Sequence, residues 1–133
     1  MTGTNRAAIV LGPEKGLEVI DIETNSPNSG EVLIKNQAIA IQPLDAKMLH
    51  AGYGGAETLQ NYPFVLGTGG AGTVEEIGDG VTGVAVGDRV VFDTGALVRP
   101  LTNMREGTWQ QYVISDADTV AKVGKHTRCP KRL

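Results

Sequence analysis

A mainly β fold, a small barrel or sandwich, is what this sequence predicts, and three observations carry it. Glycine is abundant, at 18 of 133 residues; the apolar runs are short; and turn residues punctuate them at close spacing. Barrel closure is the preferred form, with one or two short helices. At 133 residues the chain is one domain of ordinary size, long enough to bury a core without disulfide or metal staples.

The elements follow in order. Residues 6–11 and 17–23 are β-rich runs split by Gly12-Pro13-Glu14-Lys15-Gly16, which reads as a hairpin. Past a polar loop at 25–30, residues 31–41 alternate and then run apolar, which predicts a long strand entering the core. Pro43 suits a first helical turn, and 44–49 continue it until Gly52, so a short helix is expected there. Residues 73–77, 81–86 and 89–92 read as strands separated by glycine turns, and 108–114 and 119–123 as two more. Residues 1–124 form the predicted domain, and 125–133 an unpacked basic tail.

Composition removes several function classes. The formal charge is −3, but the last nine residues hold four of the twelve basic side chains and no acidic one, leaving −7 on residues 1–124. An acidic body does not suit nucleic acid, whose phosphates demand clustered Lys and Arg. Cys129 is the only cysteine and the N-terminus shows no signal-peptide pattern, so an intracellular, cytoplasmic setting is expected. No run approaches the roughly 20 apolar residues of a membrane-spanning helix.

Three motifs invite a chemical reading. Gly67-Thr68-Gly69-Gly70-Ala71-Gly72 matches G-x-G-x-x-G, a loop that holds a pyrophosphate where it opens a helix. Here only 73–77 intervene before Gly78-Asp79-Gly80, too little for that helix, so the glycines are read instead as a close pass of a strand by a neighbour or a ligand. Asp93-Thr94-Gly95-Ala96 after an apolar run resembles the loop of dimeric aspartic proteases, but it comes late in the chain; the competing reading is a turn after a strand. A zinc site needs grouped ligands, and one Cys with His50 and His126 supplies no such pattern, so no metal is expected.

Five segments taken in order resemble the N-terminal catalytic domain of the medium-chain dehydrogenase/reductase family, a GroES-like, partly open barrel. They are 30–35 (GEVLIK), 42–47 (QPLDAK, similar to an N-P-x-D-x-K signature of the quinone-reductase branch), 63–67 with 71–74, 77–90, and 107–113 (GTWQQYV). Gln42 stands where zinc-dependent members carry a cysteine ligand, and Gly67-Thr68-Gly69 where they carry Gly-His-Glu; 93–106 also lack the cysteines of a structural zinc lobe. The resemblance therefore implies a zinc-independent member, nearest to the quinone-reductase and fungal trans-acting enoyl-reductase branch that serves polyketide assembly in secondary metabolism.

In that branch the resemblance implies hydride transfer from NADPH to an activated double bond or carbonyl of a hydrophobic small molecule, with the protein orienting both. It places Gln42 and Lys47 on the nicotinamide and ribose side of the cleft, Tyr53 and Thr68 along its wall, and Asp45, Gly67 and Gly72 in structural support, with no catalytic acid or base assigned. Each has a plainer reading: Lys47 a solvated helix residue, Tyr53 a rim aromatic, Thr68 a turn residue. Family members continue into a Rossmann domain that binds NADPH, and this sequence contains none. The abrupt change at 124–133 suggests a natural truncation, an altered reading frame or splice, or a deliberately cut fragment.

Three functional readings stay open on sequence. The first is the substrate-side domain of a reductase, incomplete for hydride transfer by itself and binding no cofactor tightly alone. The second is a stand-alone small-molecule-binding or non-redox module reusing the barrel cleft. The third is a dimeric protease using Asp93. Exposed apolar surface on the face that would meet a Rossmann domain is expected to drive docking or self-association.

Overall fold

Alternating burial makes the first strand amphipathic: in β1 (Thr4–Val10), Asn5, Ala7, Ile9 and Val10 point inward. The computed structural model describes residues 3–12, 15–50, 62–94 and 105–124. β1 pairs antiparallel with β2 (Leu17–Glu23) from Thr4↔Glu23 to Val10↔Leu17, as the predicted hairpin requires. Its other edge takes β4 (Phe64–Val65), giving a sheet of order β2-β1-β4.

The larger sheet is built on β3 (Glu31–Ile39) and β5 (Gly69–Ile77), in the order β7-β3-β5-β6-β8 with β6 (Arg89–Asp93), β7 (Tyr112–Asp116) and β8 (Val120–Lys122). Register shifts at Leu33/Ile34 and Asn36/Ala38 bend β3 against β5. Such bulges raise local twist and let a sheet curl. The two sheets meet where Ala8 N–H donates to the Trp109 carbonyl at 2.8 Å and Ala7 bridges Gln110. The result is the expected mainly β, partly open barrel with one α-helix and no Rossmann unit among the described residues.

Val32, Ile34, Val74, Val90, Phe92 and Val113 fill the larger sheet's interior. A second cluster, Val10, Met48, Phe64 and Leu66, lies under α1 (Pro43–His50) with Trp109 against it. Two helical turns do not persist in water alone; burial of Met48, which is 5% exposed, anchors this one.

Several predicted elements need correction. Residues 81–86 form turns, not a strand: Gly83 and Gly87 adopt positive φ (89° and 91°), the Asp88 carboxylate accepts Ala85 N–H at 2.9 Å, and Val81 and Val84 reach the core from an irregular backbone. Residues 108–111 precede β7 as an irregular segment with a single bridge, because their backbone bonds are divided among Gly67, Leu66, Ala8, Arg6 and Asn36 instead of running along one strand, and the Asn36 side chain takes the Thr108 and Gln110 carbonyls. Residues 117–119 form a 3-10 turn before β8, and β5 begins at Gly69, earlier than predicted. The predicted tail at 125–133 lies outside the described residues.

Candidate functional site

The corner between β3 and α1 brings two of the predicted cleft residues, Gln42 and Thr68, together. Ala40 N–H donates to the Gly69 carbonyl at 2.9 Å, and the Trp109 indole N–H reaches the Ala40 carbonyl at 3.3 Å, so the chain leaves β3 pinned on two sides. Gln42 follows as the helix N-cap and Pro43 as the first helical residue, where its missing N–H removes nothing. Asp45, two residues further into the first turn, turns its carboxylate back to accept Gln42 N–H at 2.7 Å. That is half of a capping box, with the acidic charge at the positive end of the helix.

With its backbone fixed, Gln42 extends its Nε2 to the Thr68 hydroxyl at 3.2 Å. Thr68 is buried between Gly67 and β5, and its carbonyl accepts Thr94 N–H at 2.7 Å, tying the corner to the end of β6. Gly67 has φ of 103°, and a Cβ there would overlap the side chains of Trp109 and Thr108. Gly72 lies directly against the Lys35 carbonyl, where any side chain would collide with backbone. The glycine string thus runs through strand β5, and no helix follows it.

Electrostatically the corner holds one unusual group. Asp45 is 2% exposed, its Oδ1 has no hydrogen-bond partner among the described residues, and burial pushes its carboxyl above the ordinary range, partly offset by the Gln42 N–H. Lys47 and His50 stand exposed on the same helix. Tyr53, His126 and Cys129 lie outside the described residues, as do Gly95 and Ala96 of the protease-like motif. Asp93 ends β6 opposite Gly69. Among the described residues no three His, Cys, Asp or Glu side chains gather as a metal centre would require, and no helix is long and apolar enough to cross a membrane.

Sequence reasoning missed two contributors. Trp109, given no role beyond its place in the GTWQQYV segment, packs into both clusters beside α1 and β1 and holds the 40–42 corner through its indole. Asn36 donates to the Thr108 and Gln110 carbonyls, both at 2.8 Å, fixing the segment that presents Trp109. The GTWQQYV segment was the available signal for the first; a lone Asn inside a strand gave none for the second.

The profile of the alcohol dehydrogenase GroES-like domain matches residues 28–125. The chain belongs to this family. Over 87 residues this GroES-like domain is 41% identical to an S-(hydroxymethyl)glutathione dehydrogenase of Escherichia coli O1:K1, a match covering 65% of the chain and 22% of that protein. The fold matches the quinone oxidoreductase from Coxiella burnetii with a TM-score of 0.78 and 27% identity, over 95% of this chain and 39% of the other. A mycobacterial protein solved with NADPH matches with a TM-score of 0.73 and 29% identity, over 93% of this chain and 35% of its own. The GroES-like domain therefore spans about a fifth of the length of the curated relative and under two fifths of the solved neighbours. Its neighbours are oxidoreductases of the medium-chain dehydrogenase/reductase family.

Proposed function

We propose that this chain is the substrate-side domain of a zinc-independent, NADPH-dependent reductase of enoyl or quinone type, and that it depends on a nucleotide-binding domain for turnover. The observation that carries the reading is the Gln42–Thr68 pair, an amide and a hydroxyl at 3.2 Å at the corner where the resemblance puts two zinc ligands. Neither side chain belongs to the thiolate, imidazole and carboxylate set that zinc selects. The NADPH-bound mycobacterial neighbour supports the choice of cofactor.

NADPH, when bound, supplies a hydride to the electrophilic carbon of a polarised C=C or C=O bond, and a proton from solvent completes the reduction. This chain contributes position. Gln42 commits its amide N–H to Thr68, leaving the amide oxygen as an acceptor for a carboxamide such as nicotinamide's. Gly69 beside it would place a Cβ no nearer than 3.6 Å to the Ala40 methyl, so a flat ring meets a low wall. Asp45, turned into the helix, positions Gln42 rather than touching substrate.

The test is a chimaera in which this chain replaces the matching part of the Coxiella burnetii quinone oxidoreductase. The expected result is NADPH-dependent reduction of a quinone or enone that survives chelator, with kcat lowered in Gln42→Ala. A folded chimaera that binds NADPH but reduces neither substrate would sink the proposal. Calorimetric titration of the isolated chain is expected to show no tight NADPH binding, since half of an interdomain pocket is held elsewhere.

A further inference from the structure

The Gln42–Thr68 pair hangs from two stretches of backbone, and one side chain touches both. Ala40 lies two positions before Gln42, and its carbonyl accepts the Trp109 indole N–H at 3.3 Å. Gly67 precedes Thr68 and sits so close to the same ring that a Cβ there would overlap Trp109 Cδ1 and Nε1. Between Ala40 and Gln42 stands only Ile41, which is 76% exposed, so packing does not hold that step of the chain. The backbone carrying the ring is itself fixed. Trp109 N–H donates to the Leu66 carbonyl at 2.8 Å and Thr108 N–H to the Gly67 carbonyl at 3.2 Å. Asn36 Nδ2 ties the Thr108 and Gln110 carbonyls on either side of Trp109, both at 2.8 Å.

We propose that Trp109 is a positioning residue for the reductase site, setting Gln42 against Thr68 through its indole N–H. The inference rests on the reading of that pair as the group that orients the cofactor. Packing against Val10, Met48 and Phe64 asks only for a large apolar body, which a phenyl ring would also supply. Tryptophan adds one donor at the end of that body, and here the donor points at the corner between strand and helix. The pair it holds has little tolerance. At 3.2 Å the amide–hydroxyl bond is longer than the common N–H···O distance of about 2.9–3.0 Å, so a slip of roughly half an ångström at residues 40–42 breaks it. A Gln42 amide released from Thr68 rotates, and its oxygen no longer points one way toward a nicotinamide carboxamide. The loss falls on the orientation of bound cofactor, and so on kcat rather than on the KM of the quinone.

The Coxiella burnetii chimaera carries the kinetic test, in Trp109→Phe, Gln42→Ala and the double variant, with Val113→Ala in the larger sheet's core as the control for lost packing. Trp109→Phe is expected to lower kcat about fivefold, the effect of one net hydrogen bond, with the quinone KM unchanged. In the Gln42→Ala background the same substitution is expected to lower kcat no further, and Val113→Ala to leave it at the native value. A second test needs no turnover. In NMR spectra of the 133-residue chain, the bond to Thr68 slows water exchange of the Gln42 side-chain amide relative to that of the exposed Gln37. That slowing is expected to be lost in Trp109→Phe and kept in Val113→Ala. A folded Trp109→Phe chimaera with native kcat overturns the proposal, as does an equal loss with and without Gln42, or a Gln42 amide whose exchange does not change. A native chimaera that binds NADPH and reduces nothing sinks the reductase reading instead, and the amide exchange then decides by itself whether Trp109 sets the pair.

Discussion

The carboxylate of Asp45 accepts the backbone N–H of Gln42 at 2.7 Å from a site that is 2% exposed. Burial raises the carboxyl's pKa in the folded state, and the Gln42 bond lowers it by less. A raised folded-state pKa means that the folded chain holds this proton more tightly than the unfolded one. This contribution to stability is therefore complete at pH below the ordinary aspartate range and is lost as pH rises through the folded-state value. Asp45→Asn keeps an acceptor for Gln42 without the buried charge, so its melting temperature relative to the native chain is expected to climb from pH 4 to pH 7, by a linkage of this sign. Asp45→Ala loses the cap and is expected to cost about 1 kcal/mol. Thermal melts of the three chains check both; parallel native and Asp45→Asn profiles would refute the first.

Gly67 combines two restraints that occur singly at the other described glycines. Its φ is 103°, and its missing Cβ is the space that the Trp109 and Thr108 side chains occupy. Gly83 shares the positive φ, at 89°, but faces open space. Left-handed strain alone costs roughly 1–2 kcal/mol, and overpacking adds about 1–3 kcal/mol. Urea unfolding should show Gly83→Ala losing only the first amount and Gly67→Ala the sum. Equal losses would mean that Trp109 relaxes away freely.

What could be read from sequence divides along the range of the interaction. β1, β2 and β3 follow from local periodicity, and α1 from Pro43 and a helix-compatible run. The Val81–Val86 stretch misled because its valines have strand character, while positive-φ glycines on either side of Val84 impose turns that residue preference alone does not reveal. β4, two residues long, is too short to show a period. At the site, Gln42 and Thr68 were legible through the resemblance, but their contact is not, since they lie 26 positions apart. Least legible were Asn5 and Gln110, polar residues that sequence assigns to surface and that are buried because each is the other's partner.

That pair supports a prediction of its own. Asn5 Nδ2 donates to Gln110 Oε1 and to the Tyr112 carbonyl, both at 2.8 Å, and Asn5 Oδ1 accepts Tyr112 N–H at 3.0 Å. Gln110 Nε2 in turn holds the Gly107 carbonyl at 2.7 Å. Removing one partner leaves buried groups unsatisfied, at about 1–3 kcal/mol each, whereas losing both at once leaves fewer orphans. Asn5→Ala is expected to cost at least about 2 kcal/mol and to speed amide exchange at Tyr112. The double variant with Gln110→Ala should cost less than the sum of the singles. Strict additivity would show that the two amides act separately.

The ion pairs separate by burial. Arg105 meets the Glu31 carboxylate at 2.8 Å with side chains 26% and 14% exposed, and the same carboxylate oxygen accepts Asn28 N–H at 2.8 Å. Arg6 and Asp21 meet at 3.4 Å with 66% and 57% exposed. Exposed pairs lose most of their attraction to solvent screening and side-chain entropy, while a partly shielded one that is also hydrogen-bonded keeps more. Double-mutant cycles should give a coupling of about 1 kcal/mol for Arg105–Glu31 and near zero for Arg6–Asp21. Raising the salt from 0.1 M to 1 M shortens the screening length from about 10 Å to about 3 Å, which should erase any residue of the second coupling and leave most of the first. Equal couplings in low salt would mean that the Arg105 contact, although shorter, is no better shielded than the hairpin pair, and that the 105–107 segment is held by the Gln110 amide instead.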